Sequence, residues 1–188
     1  MKMESFSNLK EAKAILQKSG FDVRNYSTYD FGREKDFDTI SILCEENKFP
    51  TLLSSLRKSC MGNVIIFAGT SQWLGDEKNE NKRELVLANG SSQFDILRIA
   101  RTDAINYDMH TEDLIQKIRE LDRCYGIHIY LANTDTVAFT FAKMPADLLS
   151  FATEIYKFCP DIVDQGSGTV DQLAAEIDIT GRVLLWWD

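Results

Sequence analysis

The sequence predicts an α+β fold for a chain of 188 residues. Short segments rich in β-branched residues, in which apolar and polar residues alternate, are typical of strands. Longer segments with apolar residues three and four positions apart, bounded by capping residues, glycine or proline, are typical of helices. Both kinds of segment are interspersed along the chain, and hydrophobic residues make up 44% of it. We therefore expect packed helices and sheets rather than disorder.

The amino-terminal half, residues 1–92, is predicted to be an α+β unit that need not fold by itself. It opens with a helix, capped by Ser5 or Ser7, that ends at Gly20. The segments that follow are, in chain order, the strands "FDVRNYSTY" and "DTISILCE", the helix "FPTLLSSLRKSCMG", and the strands "NVIIFAGT" and "RELVLAN". The charged segment "SQWLGDEKNENK" predicts an exposed hairpin loop between the last two strands. The segment "NGSSQ", residues 89–93, is the predicted domain boundary.

The carboxy-terminal domain, residues 93–188, is predicted from seven segments. In chain order they are the strand "FDILRIA", the helix "TEDLIQKIRELDRCYG", the strands "IHIYLAN" and "TVAFTFAKM", the helix "PADLLSFATEIYKFC", the short helix "TVDQLAAEIDITG" and the strand "RVLLWWD". Thr111 and Thr169 are predicted to cap the first and last of these helices, which Gly126 and Gly181 end. The order is that of the β-α-β-β-α-β motif. We therefore expect a ferredoxin-like two-layer sandwich with an extra short helix, packed on the amino-terminal half.

The composition excludes membrane and secreted classes of protein. The longest apolar runs, such as "VIIFAG" and "VLLWW", fall far short of the ~20 residues that span a membrane. The first residues alternate charged and apolar side chains, without the apolar stretch of a secretory signal. The four cysteines lie far apart and form no C-x-x-C pair, which indicates reduced structural thiols. We therefore expect a cytoplasmic protein.

The charge is concentrated in the carboxy-terminal half. Residues 94–188 hold 8 Lys/Arg and 16 Asp/Glu, so the whole formal net charge of −8 lies there. An acidic surface repels phosphate backbones, which excludes nucleic acid as a partner of this half. It favours a basic protein partner or a cation, and the alternative is a solvated surface that only keeps the protein soluble.

One face of the predicted carboxy-terminal sheet carries polar and aromatic residues. If helices cover the other face, alternation assigns to the open face Arg98, His128, Tyr130, Thr140 and Trp186. Such faces can bind ligands, and some stack RNA bases, although the acidic charge argues against RNA. The alternative is that the amino-terminal half covers this face and that His128 is a hydrogen-bonded, buried ring.

Two polar loops are candidates for a functional site. Residues 101–113 offer carboxylates and a histidine that could bind a divalent cation, although no spacing matches a strong metal motif: Asp103, Asn106, Asp108, His110, Glu112 and Asp113. The alternative there is a loop of Asx-turns followed by a capped helix.

In the second loop, residues 160–168, Asp161 and Asp164 could form an acid and base pair near Asp188. The alternative is that both carboxylates cap backbone N–H groups while Gly166 and Gly168 adopt positive φ. No nucleophile motif is present, and no strong motif requires a cofactor.

Three segments, "ILRIARTDAINYDMHTEDLI", "FCPDIVDQGSGTV" and "LLWWD", resemble the domain-of-unknown-function family DUF4253 over about residues 94–188. The resemblance implies a bacterial origin and implies no catalytic residue. The positions it marks are Arg101, Asp103, Asn106, Tyr107, Asp108, Asp161, Asp164, Gln165, Gly166, Trp186, Trp187 and Asp188.

These patterns favour a non-catalytic binding or protein-interaction module, of the kind that neutralises a basic toxin as immunity proteins do. The alternative is a metal-assisted hydrolase whose acidic pocket is formed by the two loops and the carboxy terminus. A third reading is small-molecule sensing on the open sheet face. The residues predicted to line one composite pocket are Arg101, Asp103, Asn106, Tyr107, Asp108, His110, Asp161, Asp164, Gln165, Trp186 and Asp188.

Overall fold

The computed structural model describes residues 3–28, 35–69 and 81–188 and divides the chain into two compact units, Met1–Ala100 and Arg101–Asp188. Each unit is mixed α+β, as predicted. No helix in the described ranges is long and apolar enough to cross a membrane. Whether either unit folds without the other stays a prediction.

The first unit has a sheet of four described strands with helices packed against it. Its elements are α1 (Leu9–Lys18), β1 (Arg24–Ser27), β2 (Lys35–Glu45), α2 (Phe49–Ser59), β3 (Val64–Ala68), β4 (Lys82–Asn89) and α3 (Asp95–Ala100). The strands lie in the order β1-β2-β4-β3, and every neighbouring pair is antiparallel. The predicted hairpin loop lies mostly outside the described residues. The N-cap of α1 is Asn8, rather than Ser5 or Ser7, because the Asn8 side chain accepts the Glu11 N–H over 3.0 Å.

The segment "FDILRIA" is helix α3, so the strand predicted there is wrong. Asp95 decides the conformation, because its carboxylate accepts the backbone N–H groups of Ser91 and Ser92, each over 3.0 Å. It also pairs with Arg98, one helical turn away, over 2.8 Å. The apolar residues then reach the core at helical spacing. Arg98 therefore does not belong to the open sheet face.

The second unit has a three-stranded antiparallel sheet with helices on one face. Its elements are α4 (Thr111–Tyr125), β5 (Ile127–Ala132), β6 (Thr136–Phe141), α5 (Leu148–Phe158), α6 (Val170–Thr180) and β7 (Arg182–Trp186), and its strands lie in the order β5-β6-β7. The ferredoxin-like arrangement is not confirmed, because the segment predicted as its first strand is α3. As a result β7 pairs directly with β6.

The core of the second unit lies between the sheet and its helices. The strands contribute alternate residues, among them Ile129, Phe139 and Leu185, none of which is more than 1% exposed. Tyr125 of α4 meets Phe151 of α5 edge to face, with ring centroids 5.0 Å apart.

Most of the predicted helix ends in this unit are confirmed. The Thr169 hydroxyl accepts the Gln172 N–H over 3.1 Å, and Gly126 and Gly181 end α4 and α6 with φ of 60° and 63°. The cap of α4 is His110 rather than Thr111, which is the first helical residue.

The turn between β5 and β6 holds both ends of the second unit. The Thr102 hydroxyl donates to the first of the carbonyl groups in Asn133–Asp135 over 2.6 Å, and the Asp103 N–H donates to the second over 2.9 Å. The Trp187 N–H donates to the third over 3.1 Å. The loop before α4 and the residue after β7 are thereby fixed at the same turn.

Candidate functional site

A small closed loop presents Tyr107. Backbone hydrogen bonds of 2.8 and 3.1 Å join Ala104 and Met109 in both directions. Between them Ile105–Tyr107 forms a 3₁₀ turn, and Asp108 reverses the chain with φ of 55°. Aspartate is one of the few residues that adopts this left-handed conformation readily. The loop therefore has a fixed shape, with the tyrosine at its end.

The segment after α5 supplies the central carboxylate. Ile162–Ser167 forms a π-helical turn instead of an irregular loop, and Asp161 immediately precedes it. Of the two glycines predicted to adopt positive φ, Gly168 does, with φ of 81°, and Gly166 does not. Gly166 is instead required by a close approach, because a Cβ atom there would lie 2.6 Å from Cη2 of Trp186.

Asp161 is buried, with 5% of its surface exposed, and its carboxylate accepts two hydrogen bonds. Its Oδ1 accepts Nε2 of Gln165 over 3.0 Å, and its Oδ2 accepts the backbone N–H of Asp188 over 2.9 Å. The hydroxyl of Tyr107 interacts with the same carboxylate, and this side-chain hydrogen-bonding interaction is the main cause that raises the pKa of Tyr107 to about 12. We call Tyr107, Asp161, Gln165 and Asp188 the Asp161 cluster.

The end of α5 is joined to the end of β7 by two further contacts. The thiol of Cys159 donates to the carbonyl of Trp186 over 2.9 Å, and the indole N–H of Trp187 donates to the carbonyl of Phe158 over 3.3 Å. Burial is the main cause that raises the pKa of the Cys159 thiol to about 11. Because the thiolate is the nucleophilic form, this cysteine is inert at neutral pH. Its contact stabilises the fold.

Asp164 has a different partner from Asp161. It is exposed and accepts the hydroxyl of Tyr156 over 2.9 Å, which raises the pKa of Tyr156. The two carboxylates of this loop therefore have different partners, and the backbone N–H that Asp161 binds belongs to Asp188. The capping alternative correctly predicts that Asp161 accepts a backbone N–H. It is wrong about which one, because the N–H does not belong to the loop after Pro160.

A cavity of about 390 Å³ lies beside Tyr107. It is lined by Met109 of the closed loop, and by residues of α4 and α5 that include Leu121 and Phe158. Its charged residues are Lys117 and Glu120 of α4, and Glu154 and Lys157 of α5. The cavity has an apolar wall and balanced charge, and it differs from the acidic pocket that the sequence predicted.

The chemistry of the Asp161 cluster is that of a structural joint. The Asp161 carboxylate already accepts hydrogen bonds from Gln165 and Asp188, so its contacts lie within the fold. The raised pKa of Tyr107 keeps its hydroxyl protonated at neutral pH, so it does not serve as a base there. Among the described residues, no group of three or more His, Cys, Asp or Glu side chains could hold a metal ion.

Four of the residues predicted to form the composite pocket are brought together in the Asp161 cluster, and the ring of Trp186 lies against Gly166 beside them. The first loop contributes only its tyrosine to the cluster. Arg101, Asn106, Asp108 and His110 are exposed, and Asp103 is fixed by its backbone to the β5–β6 turn. Glu112 and Asp113 lie in the first turn of α4, where Asp113 accepts the His110 N–H over 2.9 Å.

The open face of the sheet keeps His128, Thr140 and Trp186, because Trp186 pairs with Thr136, which lies on the same face of β6 as Thr140. His128 of β5 pairs with Thr140 of β6, and its side chain is exposed. Tyr130 lies at an irregularity in the pairing between Ile129 and Leu131 and is half-buried. His128 is therefore not a buried, core histidine.

The sequence pattern did not identify the contacts made by Tyr156 and Cys159. Tyr156 lies on α5, eight positions before its partner, and only the π-helical turn brings the two together. One feature of the sequence could have indicated a role for Cys159, namely its position directly before the "PD" of "FCPDIVDQG".

Comparison with known proteins gives one match. The family described as Domain of unknown function (DUF4253) matches residues 84–188, which include most of β4, all of α3 and the whole second unit. No curated protein and no solved structure matches the chain.

Proposed function

The chain belongs to the DUF4253 family, and we propose that it is a non-catalytic protein-interaction module of the bacterial cytoplasm that binds a basic protein. The specific form of the proposal is an immunity role, in which the chain neutralises a basic toxin. The Asp161 cluster supports the non-catalytic part, because its carboxylate is occupied by internal donors.

The outer face of α6 is the observation that carries this proposal. Ile179 is 84% exposed, more than any other large apolar side chain among the described residues. Exposed carboxylates precede it, with Asp178 next to it in sequence, Glu176 one turn before and Asp171 two turns before, and α6 contains no lysine or arginine. We call Asp171, Glu176, Asp178 and Ile179 the α6 surface.

An exposed apolar side chain beside charged residues is the composition of an interface contact. Burial of Ile179 against a partner would contribute affinity, and the carboxylates would speed association with a surface rich in lysine and arginine. The same charges repel nucleic acid, so the partner is a protein.

The experiment is capture from bacterial lysate at low salt, followed by cloning and purification of the captured protein. Its dissociation constant is then measured with wild type, Ile179→Ser and Asp178→Lys. We expect each substitution to weaken binding about tenfold, and binding to weaken as salt is raised. Matched controls are Leu149→Ser, which removes an exposed apolar residue of α5, and Asp22→Lys, which changes net charge equally at an exposed position of the first unit.

Equal affinity for wild type and both α6 variants, or affinity that does not depend on salt, would overturn the proposal. Stabilisation of the purified chain by one divalent ion, together with turnover of a hydrolysable substrate, would instead favour the metal-assisted hydrolase.

A further inference from the structure

The first unit contains a cleft of about 600 Å³, lined by the end of β2, one side of α2, Phe21 and Lys82. We call it the α2 cleft. Its volume lies within the range of ~300–1,000 Å³ typical of small-molecule sites. It lies outside the Asp161 cluster and the α6 surface, and it is mostly outside the residues that the family matches.

The floor of the α2 cleft is apolar. Phe21 and Leu43 are half-buried, and Leu52 of α2 is buried, with 7% of its surface exposed. Cys44 also lines it, and burial, with a smaller effect of the neighbouring Glu45 carboxylate, raises the pKa of its thiol to about 11. The cysteine is therefore a neutral part of the floor, which suits the apolar body of a ligand.

The side of the cleft formed by α2 carries hydrogen-bonding groups. Lys48, Thr51, Leu52 and Ser55 recur at the spacing of one helix face, so they point to the same side of α2. Asn47, just before the helix, adds an amide. A polar head group placed along this side has several partners.

The charge of the cleft is positive. Lys48, at the start of α2, and Lys82, at the start of β4, face one carboxylate, that of Glu45. The adjacent Glu46 is neutralised by Arg83, with Nη2 and Oε1 2.5 Å apart. Within the described ranges, neither lysine forms an ion pair with another residue. Residues 1–93 hold equal numbers of acidic and basic residues, so this half does not repel an anion.

We propose that the α2 cleft binds a small amphipathic anion, with an aromatic or aliphatic body and a phosphate or carboxylate head group. The body packs on Phe21 and Leu52, and the head group meets Lys48 and Lys82. Two ammonium groups against one carboxylate favour an anion over a neutral or cationic molecule of the same shape.

Calorimetric titration with three probes of one shape tests this. The probes are 1-naphthyl phosphate, 1-naphthalenemethanol and 1-naphthylmethylamine, which differ in the charge of the head group. We expect wild type to bind the phosphate, and to bind the alcohol and the amine at least about tenfold more weakly.

Variants locate the site. Lys48→Gln and Lys82→Gln should each weaken binding of 1-naphthyl phosphate about threefold to tenfold, the range for partly exposed charge contacts. Lys58→Gln, an exposed lysine of the same helix outside the cleft, is the matched control and should leave affinity unchanged. Thr51→Trp, at an exposed position on the lining, should block the cleft and abolish binding.

The proposal is wrong if wild type does not bind 1-naphthyl phosphate at millimolar concentration, or if the three probes bind equally. It is also wrong if Lys58→Gln weakens binding as much as Lys48→Gln does. Melting curves check that each variant is folded. If Thr51→Trp does not fold, Lys48→Gln, at an exposed position, still tests the proposal. Because the α6 variants leave the cleft intact, this result is independent of the proposed protein partner.

Discussion

The backbone N–H of Asp188 donates to the side-chain carboxylate of Asp161 over 2.9 Å, and this hydrogen bond joins the residue before the π-helical turn to the last residue of the chain. The same carboxylate binds Tyr107 and Gln165. One buried side chain therefore connects the closed loop, the π-helical turn and the end of β7.

Asp161→Asn should lower the free energy of unfolding by about 1–3 kcal/mol, because an amide lacks the charge that strengthens the hydrogen bonds from Gln165 and Asp188 and adds N–H donors of its own. Urea denaturation measures the loss. Asp164→Asn is the matched control: its carboxylate is exposed and accepts the hydroxyl of Tyr156, so its loss should be clearly smaller. Equal losses would contradict the assignment of Asp161 as the centre of the junction.

The hydroxyl of Tyr107 should lose its proton only at high pH. Its pKa is raised from the ordinary value of 10.0 to about 12 by the hydrogen bond to Asp161. Since the folded-state pKa lies above the unfolded one, the stabilisation from this bond is fully present below pH 10 and is lost as pH rises toward 12. The difference in tyrosinate absorbance between wild type and Tyr107→Phe gives the pKa directly.

In Asp161→Asn the pKa of Tyr107 should fall toward the ordinary value, because the carboxylate that disfavours the tyrosinate is gone. A Tyr107 pKa near 10 in the wild-type protein would show that the hydrogen bond does not form in solution.

The cysteines should differ in how fast they react with a thiol reagent. Burial raises the pKa of Cys44 and of Cys159 to about 11, so about one such thiol in a thousand is thiolate at pH 8. Cys124 is exposed. With a thiol-reactive chromogenic disulfide at pH 8, Cys124 should react in the fast phase, and Cys44 and Cys159 should react only as the protein unfolds.

Cys124→Ser is the control for this assignment, since it should remove the fast phase without changing the slow one. Rapid labelling of Cys159 in the folded protein would exclude its contact with the Trp186 carbonyl.

Gly166→Ala should destabilise the second unit by about 1–3 kcal/mol, the usual cost of overpacking, because the added Cβ lies 2.6 Å from the Trp186 ring. The ring must move, so the near-ultraviolet circular dichroism of tryptophan should change. Gly181→Ala is a useful comparison, since its site is spatially open and only its φ of 63° is unfavourable. It should lower stability and leave the tryptophan signal unchanged.

The helices of the second unit could be predicted because their signals are local. The amphipathic pattern of α4 and the cap and terminal glycine of α6 lie within each helix or next to it. The segment of α3 contains only six helical residues, which is too short for periodicity to separate a helix from a strand. There the outcome depends on Asp95 and its backbone partners at 91 and 92.

The site could be predicted in part for a similar reason. The sequence singled out Asp161 and Asp188 as carboxylates, but the contact between them uses a backbone N–H of Asp188. Every residue except proline supplies such a group, so side-chain identity carries no signal for it. The π-helical turn that places Gly166 on Trp186 also depends on packing between segments about 20 positions apart in the chain.

The β5–β6 turn brings the two ends of the second unit together. Because Asn133–Asp135 binds Thr102, Asp103 and Trp187 through successive carbonyl groups, the first and last residues of this unit are neighbours in space. A short linker could join them, and the chain could be opened instead at an exposed turn such as the one around Gly181. A circular permutant made in this way would keep every strand pairing of β5, β6 and β7 if opened outside the strands.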